Sequence, residues 1–322
     1  MNTIVKRKIK KEVIIYLFAG IVTITVISIL AINYVNDYRY RQTQEYKLLE
    51  HGYSKEDTNE FLHILNEEEI EELLIKEKND SILKFIKEKY YIKKNLDTYL
   101  EFEKENPEFS SYDIIAMVNV HANQEWYEKT EKSNTELGNV LLVNKYYQLN
   151  ENYTPENLTT VSNWYCYGTQ QMVKEAYDAF INMYNKALES NIKLIINSSY
   201  RSYQDQEETY NQLKRTYGTE RAEKQAARPG HSEHETGLSF DVFTKNNTTT
   251  EDFKNSDAYL WLKENAHKYG FIERYPEGKE NITGYAFESW HWRYVGIEVA
   301  TKIYEEQITF DEYYAYYIEN QQ

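Results

Sequence analysis

His231-Ser-Glu-His-Glu-Thr-Gly-Leu-Ser-Phe-Asp241 gathers imidazoles and carboxylates around a glycine and then runs into a short alternation of apolar and polar residues. Leu238, Phe240 and Val242 alternate with Ser239 and Asp241, and a period of two puts the apolar trio on one strand face and the polar pair on the other. Asp241 therefore points away from a core. Gly237 accepts backbone angles denied to other residues, so the chain can turn there and bring His234 back beside Asp241. Two donors from one turn-and-strand unit suit a metal ion, and zinc that does chemistry takes three protein ligands and keeps one position open. His291, in Glu288-Ser-Trp-His-Trp-Arg293, is the best third candidate, and Glu288 stands three residues before it. A lone histidine is more often a surface or satisfied core residue; the metal reading rests on His234, Asp241 and the Glu288-x-x-His291 pair taken together.

Other metal motifs fail on spacing. A helical metallopeptidase needs H-E-x-x-H or its inverse, whereas this stretch reads H-S-E-H-E and passes through glycine into a strand. A zinc deaminase needs a later P-C-x-x-C, which a chain with Cys166 as its single cysteine cannot supply. The same count excludes an internal disulfide and every multi-cysteine metal site. With 52 acidic against 37 basic residues and a formal charge of −15, the chain does not read as a general nucleic-acid binder. Its 322 residues exceed one typical domain, so a core domain plus an accessory region is expected.

Lys6-Arg-Lys-Ile-Lys-Lys11 precedes Val13 to Asn33, a stretch without a charge. As a helix rising about 1.5 Å per residue it matches a hydrocarbon core of ~30 Å. A cleaved signal peptide would carry a shorter apolar region, of about 7–15 residues, and a small-residue cleavage site, so an uncleaved anchor is the better reading. The basic cluster predicts a cytoplasmic N-terminus and everything after Tyr34 outside the cell membrane. From about Asn36 to Glu125 the chain is charged and nearly free of glycine, with amphipathic pieces such as Thr58 to Leu65 and Glu67 to Ile75 that predict a stalk of short helices. The expected organisation is a basic tail at 1–12, a membrane span at 13–34, a helical accessory region at 35–136 and a domain carrying the metal motifs at 137–322.

In that last region Asn139 to Val143 reads as a strand, Gln170 to Leu188 as a core-facing helix and Lys193 to Asn197 as a strand. Arg201 follows that strand directly, a position where functional side chains are commonly held. Ser256 reads as an N-cap, Gly270 ends its helix, and Phe271 to Tyr275 and Trp290 to Val295 read as strands. Alternation places His291 and Arg293 on one face of the last strand and Trp290, Trp292 and Tyr294 on the other.

These motifs resemble those of the VanY-like D-alanyl-D-alanine carboxypeptidases, within the LAS zinc peptidases that also include VanX-type dipeptidases and the zinc-bearing Hedgehog-type domain. The strand-exit Tyr-Arg-Ser is Tyr200-Arg201-Ser202; the S-x-H-x-x-G-x-[AS]-x-D block is Ser232, His234, Gly237, Ser239 and Asp241; and E-x-W-H is Glu288, Trp290 and His291. Ser239 stands where alanine is more usual, and Ser198-Ser-Tyr replaces the commoner Ser-Gly-Tyr before the arginine. The likeness runs from about Asn139 to about Tyr304 and leaves the stalk and anchor outside it.

The resemblance implies an α+β fold with a small antiparallel sheet and flanking helices, and one Zn2+ held by His234, Asp241 and His291. It also implies Glu288 as general base, Arg201 beside the scissile carbonyl, and Ser232, Gln206 and Arg201 as substrate contacts. The expected activity is removal of the terminal D-alanine from peptidoglycan stem peptides outside the membrane. An L,D-carboxypeptidase acting on tetrapeptide stems shares the same motifs. A zinc-stabilised binding domain without catalysis is the remaining alternative, and it has no need of a free carboxylate such as Glu288 beside the metal.

Overall fold

The computed structural model describes residues 10–321; the basic tail before Lys10 lies outside them. The chain divides into two compact units at the Lys87–Glu88 boundary. In the first, the apolar stretch forms one helix, Lys11–Arg41, with no residue buried and a mean hydropathy of 2.7 over its best window. Four short helices follow: Gln44–His51, Lys55–Ile64, Glu67–Ile75 and Ser81–Ile86. Three of them start where the sequence supplies a cap, because the side chains of Thr43, Ser54 and Asn66 each accept a backbone N–H of the first turn. Leu48, Phe61, Ile70, Ile82 and Phe85 are buried.

The second unit begins at Glu88, well before residue 137 where the sequence reading expects the domain to start. The reason is apolar burial. Helix Ser111–Asn119 presents Ala116 and Met117 to a core completed by Ile272, Ile303, Phe310 and Tyr314 from much later in the chain. Tyr90 stacks on Tyr316 at 4.0 Å, and the Tyr112 hydroxyl donates to Glu312 at 2.8 Å.

Eight short strands are described: β1 Glu131–Lys132, β2 Tyr147–Gln148, β3 Leu158–Thr160, β4 Gln171–Val173, β5 Ile195–Ser198, β6 Ser239–Phe243, β7 Phe271–Glu273 and β8 His291–Tyr294. β1 pairs with β2 and β3 with β4, while the main sheet is antiparallel throughout in the order β5-β6-β8-β7. One face carries Phe240, Val242 and Trp292 into a core with Phe180 and Met183 of the helix Lys174–Glu189. Phe180 meets Phe240 edge to face at 5.2 Å, a contact worth about 0.5–1.5 kcal/mol beyond its buried area. The other face holds Asp241, His291 and Arg293.

Two sequence expectations change. Asn139 to Val143 is not a strand: a short 3-10 segment, Thr135–Val140, kinks at Gly138. Its backbone carbonyls at Asn139 and Leu141 accept from the Arg293 guanidinium at 3.0 and 2.7 Å instead of from a neighbouring strand. β8 starts at His291, so Trp292 and Tyr294 enter the core while Trp290 packs at its edge and lines a cavity on the polar side.

Candidate active site

Sheet register brings the first two donors together, because Asp241 of β6 lies directly opposite His291 of β8. The third comes from the turn before β6. A single 3-10 turn, Glu233–Thr236, ends at Gly237 with φ 66°, and this reversal returns His234 to Asp241. A side chain at Gly237 would be strained there and would also meet Leu158 Cδ2 at 3.0 Å. His234 Nε2 stands 3.4 Å from Asp241 Oδ2, and His291 Nδ1 stands 3.0 Å from Asp241 Oδ1.

One donor atom from each of these three residues lies within 4.8 Å of the others. Tetrahedral zinc with bonds of about 2.0–2.1 Å needs donors roughly 3.3 Å apart, so the set fits that ion. The far ring atoms fit as well. His234 Nδ1 donates to the Ser199 carbonyl at 2.7 Å, which leaves Nε2 as the lone-pair nitrogen aimed at the cluster. His291 Nε2 faces Glu233 Oε2 at 3.4 Å, which leaves Nδ1 on the cluster side.

Arg201 and Glu288 border the same cavity, with Gln206, Ser232, Tyr275 and Trp290. The bulge between Ile196 and Ser198 ends β5, and Ser202 caps the helix Tyr203–Tyr217, so Arg201 is fixed between two rigid elements. Its Nε has no partner and its side chain faces the charges of Asp241 and Glu288. Glu288 Oε2 is 4.0 Å from His291 Nδ1. Gln206 donates its amide N–H to the Ala227 carbonyl at 2.8 Å, which leaves Oε1 unpartnered. A larger cavity is lined by Leu262, Trp292, Ile303 and Ile308, but the cluster of donors is in this smaller one.

Electrostatics separates the roles these groups can take. Burial, with Arg201 nearby, pushes His234 down to about 4, so its ring is neutral and able to ligate. Burial alone would raise Asp241, but the two histidines outweigh it and hold the carboxylate well below its usual range. Burial also works against a charged His291, yet hydrogen bonds to Asp241 and Glu233 raise the metal-free ring to about 9. Glu288 is pushed up to about 7, first by burial and then by the charge of Asp241. A carboxyl poised near neutrality can both accept and return a proton.

The chain matches the family model described as VanY, D-alanyl-D-alanine carboxypeptidase, over residues 169–297. It is 38% identical over 179 residues to the putative carboxypeptidase YodJ of Bacillus subtilis (strain 168), covering 54% of this chain and 66% of that protein. A D-alanyl-D-alanine carboxypeptidase of Enterococcus faecium is 32% identical over 228 residues, which span 67% of this chain and 71% of its own length. The chain belongs to the VanY family. Among solved structures, the LdcB LD-carboxypeptidase superposes with a TM-score of 0.55 at 35% identity, covering 58% of this chain and 90% of that one. Arg201, Gln206, Ser232, His234, Asp241, Glu288, Trp290 and His291 all line one cavity, while Tyr200, Ser202, Gly237 and Ser239 of the same motifs are not among its lining residues.

The sequence reading passes over Glu233, which it treats as a spacer between Ser232 and His234. This residue is fully buried against His291, Arg274 and Arg293. A signal for it exists: Arg293 sits between the aromatic residues Trp292 and Tyr294, and a charge among such residues calls for a buried partner.

Proposed function

We propose that this VanY-family chain is a zinc-dependent D-alanyl-D-alanine carboxypeptidase, anchored by its N-terminal helix, that trims peptidoglycan stem peptides on the outer side of the membrane. The observation that carries the reading is the convergence of His234, Asp241 and His291 with Glu288 and Arg201 around one cavity. When bound to the three donors, zinc supplies a fixed positive charge that acidifies a water and polarises a carbonyl near neutral pH. Glu288 Oε2 takes the proton of the attacking water and returns it to the leaving amine. The Arg201 guanidinium, desolvated and with Nε free, stabilises the negative oxygen that develops on the scissile carbonyl. Gln206, pinned through its N–H, presents an acceptor, so it reads an N–H of the peptide and leaves the terminal carboxylate to Arg201 and Ser232.

The likeness to an LD-carboxypeptidase favours a second reading, in which the substrate is the tetrapeptide stem. Mass spectrometry of the full chain in detergent, with zinc, separates the two. Loss of one alanine from a stem ending in D-Ala-D-Ala, with the tetrapeptide left intact, is the expected result; loss from the tetrapeptide alone would transfer the activity to the L,D class. Amidation of the terminal carboxylate should abolish cleavage. No reaction with either stem would leave the binding-domain alternative as the better account.

A further inference from the structure

Behind the metal-candidate residues lies a sealed chain of ionic contacts that the reaction itself does not use. Glu233 Oε1 accepts from Arg274 Nε at 2.7 Å and from Arg293 Nη1 at 2.8 Å, while Oε2 faces His291 Nε2 at 3.4 Å. Arg274 turns its other edge to Asp311, with Nη1 at 2.6 Å from Oδ2 and Nη2 at 3.1 Å from Oδ1. Asp311 is held in turn by the Asn144 amide at 2.8 Å. Glu233, Arg274, Arg293 and Asp311 are all buried, at 2% exposure or less. Two guanidinium groups face two carboxylates, so the cluster is charge-balanced and Glu233 stays ionised although water is excluded.

From this geometry we infer that Glu233 is a positioning residue for the metal ligand His291, and that the helix Phe310–Tyr317 takes part through Asp311 and Arg274. The inference rests on the metal reading of the site. An ionised carboxylate behind Nε2 keeps the proton there, fixes the ring plane and makes Nδ1 a stronger donor to the metal. Oε1 is occupied by two arginines, so Glu233 cannot swing forward to become a ligand itself; it can act only from behind. The helix carrying Asp311 lies beyond the residues matched by the family model, which end at 297. Its bidentate hold on Arg274 fixes the guanidinium that in turn fixes Glu233.

The test measures zinc affinity of the full chain in detergent by competition with a chromogenic chelator, alongside far-UV circular dichroism and melting of the metal-free protein. Glu233→Gln keeps a hydrogen-bond acceptor but removes the charge, and zinc should bind about 10–100-fold more weakly. Glu233→Ala should bind more weakly still. Cobalt in place of zinc should give a changed visible spectrum in both, because the ring that ligates it has moved. A purely structural role would lower the melting temperature and leave affinity and spectrum of the folded protein as in wild type, which would overturn the inference. Should Glu233→Gln fail to fold, Asp311→Asn decides: weakened zinc binding with an intact circular dichroism spectrum supports the relay, and unchanged binding refutes it. A wild-type protein that binds zinc no better than His234→Ala would defeat the metal reading itself, and the positioning role with it, independently of any result with peptides.

Discussion

Replacing His231 should flatten the acid limb of this protein's stability curve. The ring is 5% exposed, its Nδ1–H donates to the Asn144 carbonyl at 2.7 Å, and its edge meets Tyr127 at 4.9 Å. Burial lowers its pKa from 6.5 to about 4; the bond to Asn144 opposes that shift and the charge of Arg228 adds to it. The native state therefore favours the neutral ring, and the unfolded chain takes up the proton first. Stability from this group is fully present above pH 6.5 and is lost as the pH falls towards 4. At about 1.4 kcal/mol per pH unit, the loss should reach roughly 2–3 kcal/mol by about pH 4.5. That is a large share of the ~5–15 kcal/mol typical of a domain.

His231→Asn offers an N–H to the same carbonyl but does not titrate. All five tryptophans lie after Glu88, so fluorescence during guanidinium unfolding reports on the second unit alone. With a chelator present throughout, wild type should lose about 2–3 kcal/mol more than the variant between about pH 7.5 and pH 4.5. The variant will carry a cost from the lost Tyr127 contact, but that cost is uniform in pH. Parallel pH profiles would refute the assignment of a neutral, buried His231.

Glu288→Gln should keep zinc and the unfolding midpoint while turnover falls by about 10²–10⁴; near-normal turnover measured on stem peptide would remove Glu288 as the base. Gly237→Ala should destabilise by about 2–4 kcal/mol in the same fluorescence assay, combining left-handed backbone strain with overpacking against Leu158 and Val173. A cost below about 1 kcal/mol would mean that the turn relaxes and does not hold His234 in place.

The ligand candidates were legible because they ride on local periodicity. Alternation along β6 already separates Asp241 from Phe240 and Val242, Gly237 announces the reversal, and Glu288-x-x-His291 puts its carboxylate within reach of the ring. The helix cap at Ser256 was equally local. What stayed hidden is pairing over long separations. Glu233 and Arg274 are 41 positions apart, and Arg274 and Asp311 are 37 apart; no period links them, and a lone charge in a strand names no partner. The strand expected at Asn139 to Val143 failed for a related reason, since its carbonyls are claimed by Arg293 from 152 and 154 positions away. The compact unit reaches back to Glu88 because the apolar face of Ser111–Asn119 finds partners as far along the chain as Ile303, Phe310 and Tyr314.

The direct pairing of Asp241 with His291 also defines where this chain can change length. Between β6 and β8 the backbone makes a long excursion through three α-helices, a 3-10 turn and β7, and residues added at its loops leave the two facing positions untouched. A residue added within β8, directly after His291, would shift His291 by one step relative to the rest of the ladder. Because successive side chains alternate in direction, that step would swing the imidazole to the apolar face, away from Asp241. Insertions in this protein should therefore sort into two sharply different kinds: those in the loop after β6, at 244–249, which keep the ladder in register, and frame errors in five-residue β6 and four-residue β8, each of which dismantles the core and the ligand set in a single event.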